Sequence, residues 1–106
     1  MSIFGLLKKK DINSLVEECY QTNNSILLDV RTEEEYNSGH IEKSINIPLQ
    51  RIEDSLKIIN DKSTPIYVYC RSGARSISAT ALLTSLGYSN VINIGGIISY
   101  KGKKER

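Results

Sequence analysis

Residues 65–88 read PIYVYCRSGARSISATALLTSLGY, and this stretch decides the fold. It opens with an apolar run rich in β-branched and aromatic residues, the composition of a strand. The run ends on Cys70. Arg71, Ser72, Gly73, Ala74 and Arg75 follow at once, and a helical pattern begins at residues 76–86 and closes at Gly87. A strand must therefore turn sharply into a helix within a few residues, with a thiol at the corner.

The same alternation repeats outward along the chain. Before it, residues 12, 15, 16 and 19 form a helical apolar stripe, with Asp11 as its N-cap. SILLDV (25–30) is a short, nearly continuous apolar run, fit for a strand buried on both faces. Thr32 caps a short helix with acids in its first turn, ended by Gly39. SINI (44–47) reads as a strand stopped by Pro48, and residues 52, 56 and 59 mark a further helix. After the opening stretch, NVINI (90–94) is a last strand, followed by Gly95, Gly96 and a short basic end. Strand and helix in alternation predict an α/β domain with a mostly parallel central sheet of about five strands and helices on both faces. No repeat, low-complexity segment or linker interrupts it. We expect one domain over residues 1–106, its core at about 11–100 and a basic tail at 101–106. Ligands of such sheets sit beyond the carboxyl ends of the strands. Cys70 is at one such end, and Asp29 and Arg31 are at another.

Composition narrows the function classes. A chain of 106 residues suffices for one compact domain and not for two. Its charged (25%) and apolar (40%) fractions are those of ordinary soluble globular proteins, and a net charge of +2 does not argue for nucleic acid. The basic residues gather in Lys8, Lys9, Lys10 and in the tail, and are read as solvated ends. No apolar run approaches the ~18 residues of a membrane span. The start places Ile3, Phe4, Leu6 and Leu7 before its lysines, the reverse of a secretory signal. A cytoplasmic location is expected, with the N-terminal segment packed on the domain. In a reducing compartment Cys19 and Cys70 form no structural disulfide. Without a CxxC spacing or a His cluster they make no metal site, and the single histidine, His40, does not change that. Cys19 falls on the apolar stripe of the first helix and is assigned to packing.

Cys70 sits differently. Gly73 permits a positive φ, and Ser72, Ala74 and Ser76 keep bulk out of the corner. The amides of residues 71–76 are then free to converge on one concave space, an anion-binding nest. The helix that follows adds the partial positive charge of its N-terminus, and Arg71 and Arg75 add full charges. Each favours thiolate over thiol: a free cysteine titrates near 8.5, and sites of this kind fall to roughly 3.5–7.5. A small buried cysteine ending a core strand would explain the thiol alone. It would not explain two arginines, a glycine and small residues placed directly after it.

These motifs bring the chain to a family. LLDVRTEEEYNSGHIEKSINIPL and YCRSGARSISATALLTSLGYSNVINIGGI resemble the rhodanese family in its small single-domain form, over residues from about 26 to 100. Asp29-Val30-Arg31, Glu35-Tyr36, Gly39-His40-Ile41, Asn46-Ile47-Pro48, the loop from Cys70 to Arg75, and Gly95-Gly96 agree in order and spacing. The sequence departs at Lys43 and Ser44, where the family tends to carry Gly-Ala, and at Tyr100, where Trp is common. The resemblance implies a sulfurtransferase without a cofactor. Cys70 would attack the outer sulfur of an anionic donor, thiosulfate or a low-molecular-weight persulfide, and become a persulfide. Cyanide or an acceptor thiol, small or carried by a protein, would then remove that sulfur, in covalent double displacement. The amides of residues 71–75 would hold the persulfide, Arg71 and Arg75 would attract the donor, and Asp29 and Arg31 would line the mouth or pair as architectural charges. Glu35 is expected to brace the region as an ion-pair partner, and His40 to be a hydrogen-bonded turn residue.

Three rival readings stay open. Cysteine-dependent phosphatases and arsenate reductases use a similar corner, but the phosphatase signature has five residues between Cys and Arg; here there are four. An interaction module that keeps the fold would usually show a replaced cysteine or a spoiled loop. A persulfide carrier between two proteins would show the same loop as a thiosulfate enzyme.

Overall fold

Side-chain alternation along the strands sets the layers of this protein, a computed structural model whose described residues are 10–106. The amphipathic start (Ile3, Phe4, Leu6, Leu7) and Lys8 and Lys9 lie outside the described residues. In chain order the elements are α1 (Ile12–Gln21), β1 (Ile26–Asp29), α2 (Glu33–Ser38), β2 (His40–Ile41), β3 (Ile45–Asn46), a 3-10 turn (Leu49–Asp54), α3 (Ser55–Ile58), β4 (Ile66–Cys70), α4 (Ala74–Ser85), β5 (Val91–Gly96), a second 3-10 turn (Ile97–Ser99) and β6 (Lys104–Glu105).

The central sheet runs β3-β1-β4-β5, all parallel. It has four strands where the sequence suggested about five. The remaining two, β2 and β6, form a separate antiparallel ribbon, pairing His40 with Glu105 and Ile41 with Lys104. The tail, expected to be only a solvated basic end, therefore keeps exposed side chains but pairs its backbone.

Because successive strand residues face opposite ways, β4 divides cleanly. Ile66, Val68 and Cys70 join Leu28, Val30, Ile52, Ile59, Ala79, Leu83 and Tyr88 in one core, against α4 and the first 3-10 turn. Tyr67 and Tyr69 join Leu27, Ile41, Ile94 and Ile97 in the other, against Ile12, Val16 and Cys19 of α1. Helices thus cover both faces, and the register aims Cys70 toward α4.

Local signals match at the caps. Asp11 accepts from the Ser14 amide (3.1 Å), and Thr32 with Glu35 forms a capping box on α2. The segment marked by residues 52, 56 and 59 departs from expectation: Leu56 is 43% exposed, and Ser55 is buried instead. Its first half is a 3-10 turn with a non-helical kink at Arg51. Three residues per turn stack 52 under 55 rather than under 56. At Lys43, where the family tends to carry glycine, the backbone is left-handed (φ +70). The Glu105 carboxylate accepts its amide at 3.0 Å and its ammonium lies 5.5 Å over the Tyr20 ring, contacts that hold this costly conformation.

Candidate active site

The corner after β4 is built as its residue types require. Gly73 takes φ +111, a region other residues rarely enter, and α4 starts at the next residue. The Gly73 amide therefore donates to the Cys70 sulfur at 3.0 Å. The Ser76 hydroxyl lies 3.5 Å from the same sulfur and donates to the Gly73 carbonyl at 2.9 Å. From the other side β5 closes on the loop. A Cβ on Gly96 would collide with the Arg71 carbonyl and the Ser72 Cα, so only glycine permits this approach.

Cys70 is 1% exposed. Burial alone pushes its thiol up, but the Ser76 hydroxyl beside it and the Ser76, Gly73 and Arg75 amides together outweigh that, and the net direction is down. Beside the Ser76 hydroxyl, the groups that lower it are backbone amides at a helix N-terminus.

The two loop arginines separate. Arg75 is bound bidentately by Glu35, Nη1 to Oε1 at 2.6 Å and Nη2 to Oε2 at 3.0 Å. Glu35 also accepts from the Thr32 amide and hydroxyl, each at 3.0 Å, so one carboxylate ties the start of α2 to the start of α4. The Arg75 guanidinium holds the Glu35 carboxyl at about 2, well below the usual carboxylate range. Arg71 is exposed, and among the described residues no carboxylate lies within ion-pair distance of it. Ser72 and Ala74 are exposed beside it.

Asp29 and Arg31, candidates for the mouth, turn their polar groups inward. Asp29 is fully buried and Arg31 6% exposed. The Arg31 Nε and Nη2 donate to the Asp29 carboxylate at 3.0 and 2.7 Å, its amide donates at 2.8 Å, and Nη2 also reaches the Gly39 carbonyl at 2.8 Å. The contacts are those of an architectural pair joining β1 to the end of α2. His40 is buried, stacked on Tyr36 at 3.7 Å, with Nδ1 2.8 Å from the Tyr36 carbonyl. Sequence reasoning counted Ser76 only as a small residue; its hydroxyl touches the sulfur. The signal was a serine in the first turn of the helix that the cysteine faces.

A strand-loop-helix corner around a buried cysteine, on a parallel sheet with helices on both faces, defines a cysteine-centred site of the α/β class. The Rhodanese-like domain model matches residues 12–103, and the chain belongs to the rhodanese family. It is 39% identical over 84 residues to the putative mitochondrial thiosulfate sulfurtransferase of Schizosaccharomyces pombe, covering 68% of this chain and 59% of that protein. It is 38% identical over 100 residues to a tRNA uridine(34) hydroxylase of Buchnera aphidicola, covering 89% of this chain and 31% of that protein. The chain thus spans only part of the length of these relatives. Among solved structures, a rhodanese of Escherichia coli described with anions superposes with a TM-score of 0.72 at 32% identity, covering 77% of this chain and 98% of that one.

Proposed function

We propose that this protein is a rhodanese-type sulfurtransferase that moves a sulfane sulfur through a persulfide on Cys70. The donor is thiosulfate or a low-molecular-weight persulfide, and the acceptor is a thiol or cyanide. One observation carries the reading: a buried sulfur at a helix N-terminus receives the Gly73 amide at 3.0 Å and is pushed toward thiolate. A thiolate formed in advance needs no general base to attack the outer sulfur of the donor. The leaving group, sulfite from thiosulfate or a thiolate from a persulfide, departs with the electron pair of the broken S–S bond. The new outer sulfur carries the charge, and the amides of the loop face it. Arg71 attracts the donor, and Asp29 and Arg31 act through the framework rather than on the substrate.

The S. pombe relative's name and the family membership favour this chemistry. The hydroxylase is matched over 31% of its length, which supports the shared domain and not hydroxylation by it. Phosphoryl transfer is disfavoured, because the loop is one residue short and Arg75 is already gripped by Glu35. Intact-mass spectrometry after incubation with thiosulfate, and separately with a low-molecular-weight persulfide, tests the proposal. The peptide containing Cys70 gains one sulfur atom. No gain with either donor, or a gain on Cys19 instead, overturns it.

A further inference from the structure

The far end of β5 is built against the loop that follows Cys70. Register along β4 and β5 shifts after Val68: Val68 pairs with Asn93, but Tyr69 pairs with Gly95 and Cys70 with Gly96. Ile94 is thus the extra residue of a bulge, and the Asn93 carboxamide oxygen holds the bulge by accepting from the Gly95 amide at 3.1 Å. A Cβ at Gly96 would lie 2.3 Å from the Arg71 carbonyl oxygen and 2.6 Å from the Ser72 Cα, whereas one at Gly95 would meet nothing within 4 Å. Bare backbone at residue 96 lets strand and loop touch. Just beyond, the Ile98 amide in the second 3-10 turn donates to the same Arg71 carbonyl at 3.2 Å. That turn is itself tied to α1. The Asn13 Nδ2 donates to the Ser99 carbonyl at 3.2 Å, and its Oδ1 accepts from the Lys101 amide at 2.8 Å. One side chain, 86 residues from Ser99 in sequence, therefore brackets the end of the turn.

We propose that the second 3-10 turn is a strap that positions the loop after Cys70, with Gly96 setting the distance of contact and Asn13 anchoring the strap to α1. Both are positioning residues: neither touches the sulfur. The inference rests on the persulfide reading for its catalytic consequence, and adds to it what holds the thiolate's partners in place. The Arg71–Ser72 peptide is the first stretch of backbone after the sulfur-bearing residue. Held by Gly96 and the Ile98 amide, it fixes where the chain goes next, and so the 3.0 Å approach of the Gly73 amide to the sulfur. A methyl group at residue 96 meets backbone, which no change of rotamer relieves. The Arg71–Ser72 peptide must move away from β5. The Gly73 amide moves with it, and so does the root of the Arg71 side chain that attracts the donor.

The test reads Cys70 before any sulfur is transferred. The pH midpoint of its alkylation by iodoacetamide, a neutral reagent, is followed by mass spectrometry on the Cys70 peptide in Gly96→Ala, Asn13→Ala and a control, Gly87→Ala. Gly87 follows the far end of α4 at φ +106, so alanine there strains the fold without touching the loop. Gly96→Ala raises the midpoint by about one unit, the scale of a lost hydrogen bond to a charged group. Asn13→Ala raises it by less, and the Ile98 amide exchanges faster with solvent. Gly87→Ala leaves the midpoint in place. A native midpoint in Gly96→Ala overturns the strap, as does an equal rise in Gly87→Ala, which marks a general loosening. If Gly96→Ala does not fold, Asn13→Ala decides: unless both the midpoint and the Ile98 exchange rate rise, the strap is overturned. Alkylation needs no sulfur donor. A midpoint that responds as expected in a protein whose Cys70 takes up no sulfur defeats the proposed function and leaves the strap standing.

Discussion

Cys19 and Cys70 have nearly the same surroundings by a simple inventory. Both are buried, at 3% and 1% exposed. Each has a serine six residues later whose hydroxyl lies 3.5 Å from its sulfur. Yet the thiols are driven in opposite directions. At Cys19 burial pushes the thiol up, the Ser25 hydroxyl only partly opposes it, and Glu18 adds to the rise. At Cys70 the amides of Gly73, Arg75 and Ser76 join the hydroxyl and reverse the sign. The difference is backbone rather than side chain. Cys19 lies in the last turns of α1 and faces a second core, whereas Cys70 lies under the first turn of α4, where amides have no helical partner. What pulls Cys70 toward the thiolate, and not Cys19, is where the chain turns.

The sharpest way to break this contrast is to remove each sulfur in turn. Cys70→Ser should lower sulfur transfer by at least about a thousandfold, since the covalent route is lost. Cys19→Ser should stay within about twofold. Alkylation by a neutral reagent across pH should show Cys70 reacting at lower pH than Cys19. The same order in reverse, or turnover surviving in Cys70→Ser, would refute the comparison.

A smaller effect is expected from the brace that holds the Arg75 amide in place. The Glu35 carboxyl titrates at about 2 in the folded protein, below the roughly 4.3 of an unfolded chain. A depressed carboxylate stabilises the fold above its unfolded value, and that stabilisation is lost as pH falls through about 2. Glu35→Gln should therefore cost about 1–2 kcal/mol near neutral pH, with Glu35 and Arg75 side chains 28% and 31% exposed and partly screened. The two proteins should converge in stability as pH approaches 2. Urea unfolding at pH 7 and near pH 2 measures both ends, and a gap that persists in acid would assign the effect to packing.

Arg71 tests the electrostatic part alone. Arg71→Ala should raise the KM for thiosulfate by roughly three- to tenfold with little change in kcat, as expected for uniform binding of the donor. Added salt should weaken thiosulfate use by the native protein more than by the variant. Alkylation by a neutral reagent should be nearly unaffected, because the amides are still there. Ser76→Ala should do least. It removes one hydrogen-bonding hydroxyl, so the alkylation midpoint of Cys70 should move upward while staying below that of Cys19. A midpoint reaching that of Cys19 would mean that the hydroxyl, and not the amides, sets the difference.

How far the site was legible follows from the range of each signal. Gly73 announces a left-handed corner, and small residues after a strand-ending cysteine announce a loop that converges on it, because such constraints act over a few bonds. The caps at Thr32 and Asp11 were readable for the same reason. The buried face of residues 52–59 was legible only in part: Ile52 and Ile59 are buried as the spacing implied, but Ser55 is buried where Leu56 was expected. A 3-10 turn stacks residues three apart where an α-helix stacks them three or four apart, and so short a segment carries too little pattern to mark where one passes into the other.

By itself the sequence determined the alternation of strand and helix, the parallel α/β class and the thiol at a strand's carboxyl end. All three rest on local periodicity and on backbone freedom at a few positions. Only the tertiary structure decided which charges are spent. Arg75 is gripped by a carboxylate forty residues away, and Arg31 turns back on Asp29 under the sheet's end. Arg71, four residues before Arg75, faces solvent. It also paired His40 and Ile41 with the tail in a separate ribbon, where the sequence had marked no strand. Partners distant in sequence are set by how layers meet, and a strand of two residues carries too little pattern to name the strand it will pair with.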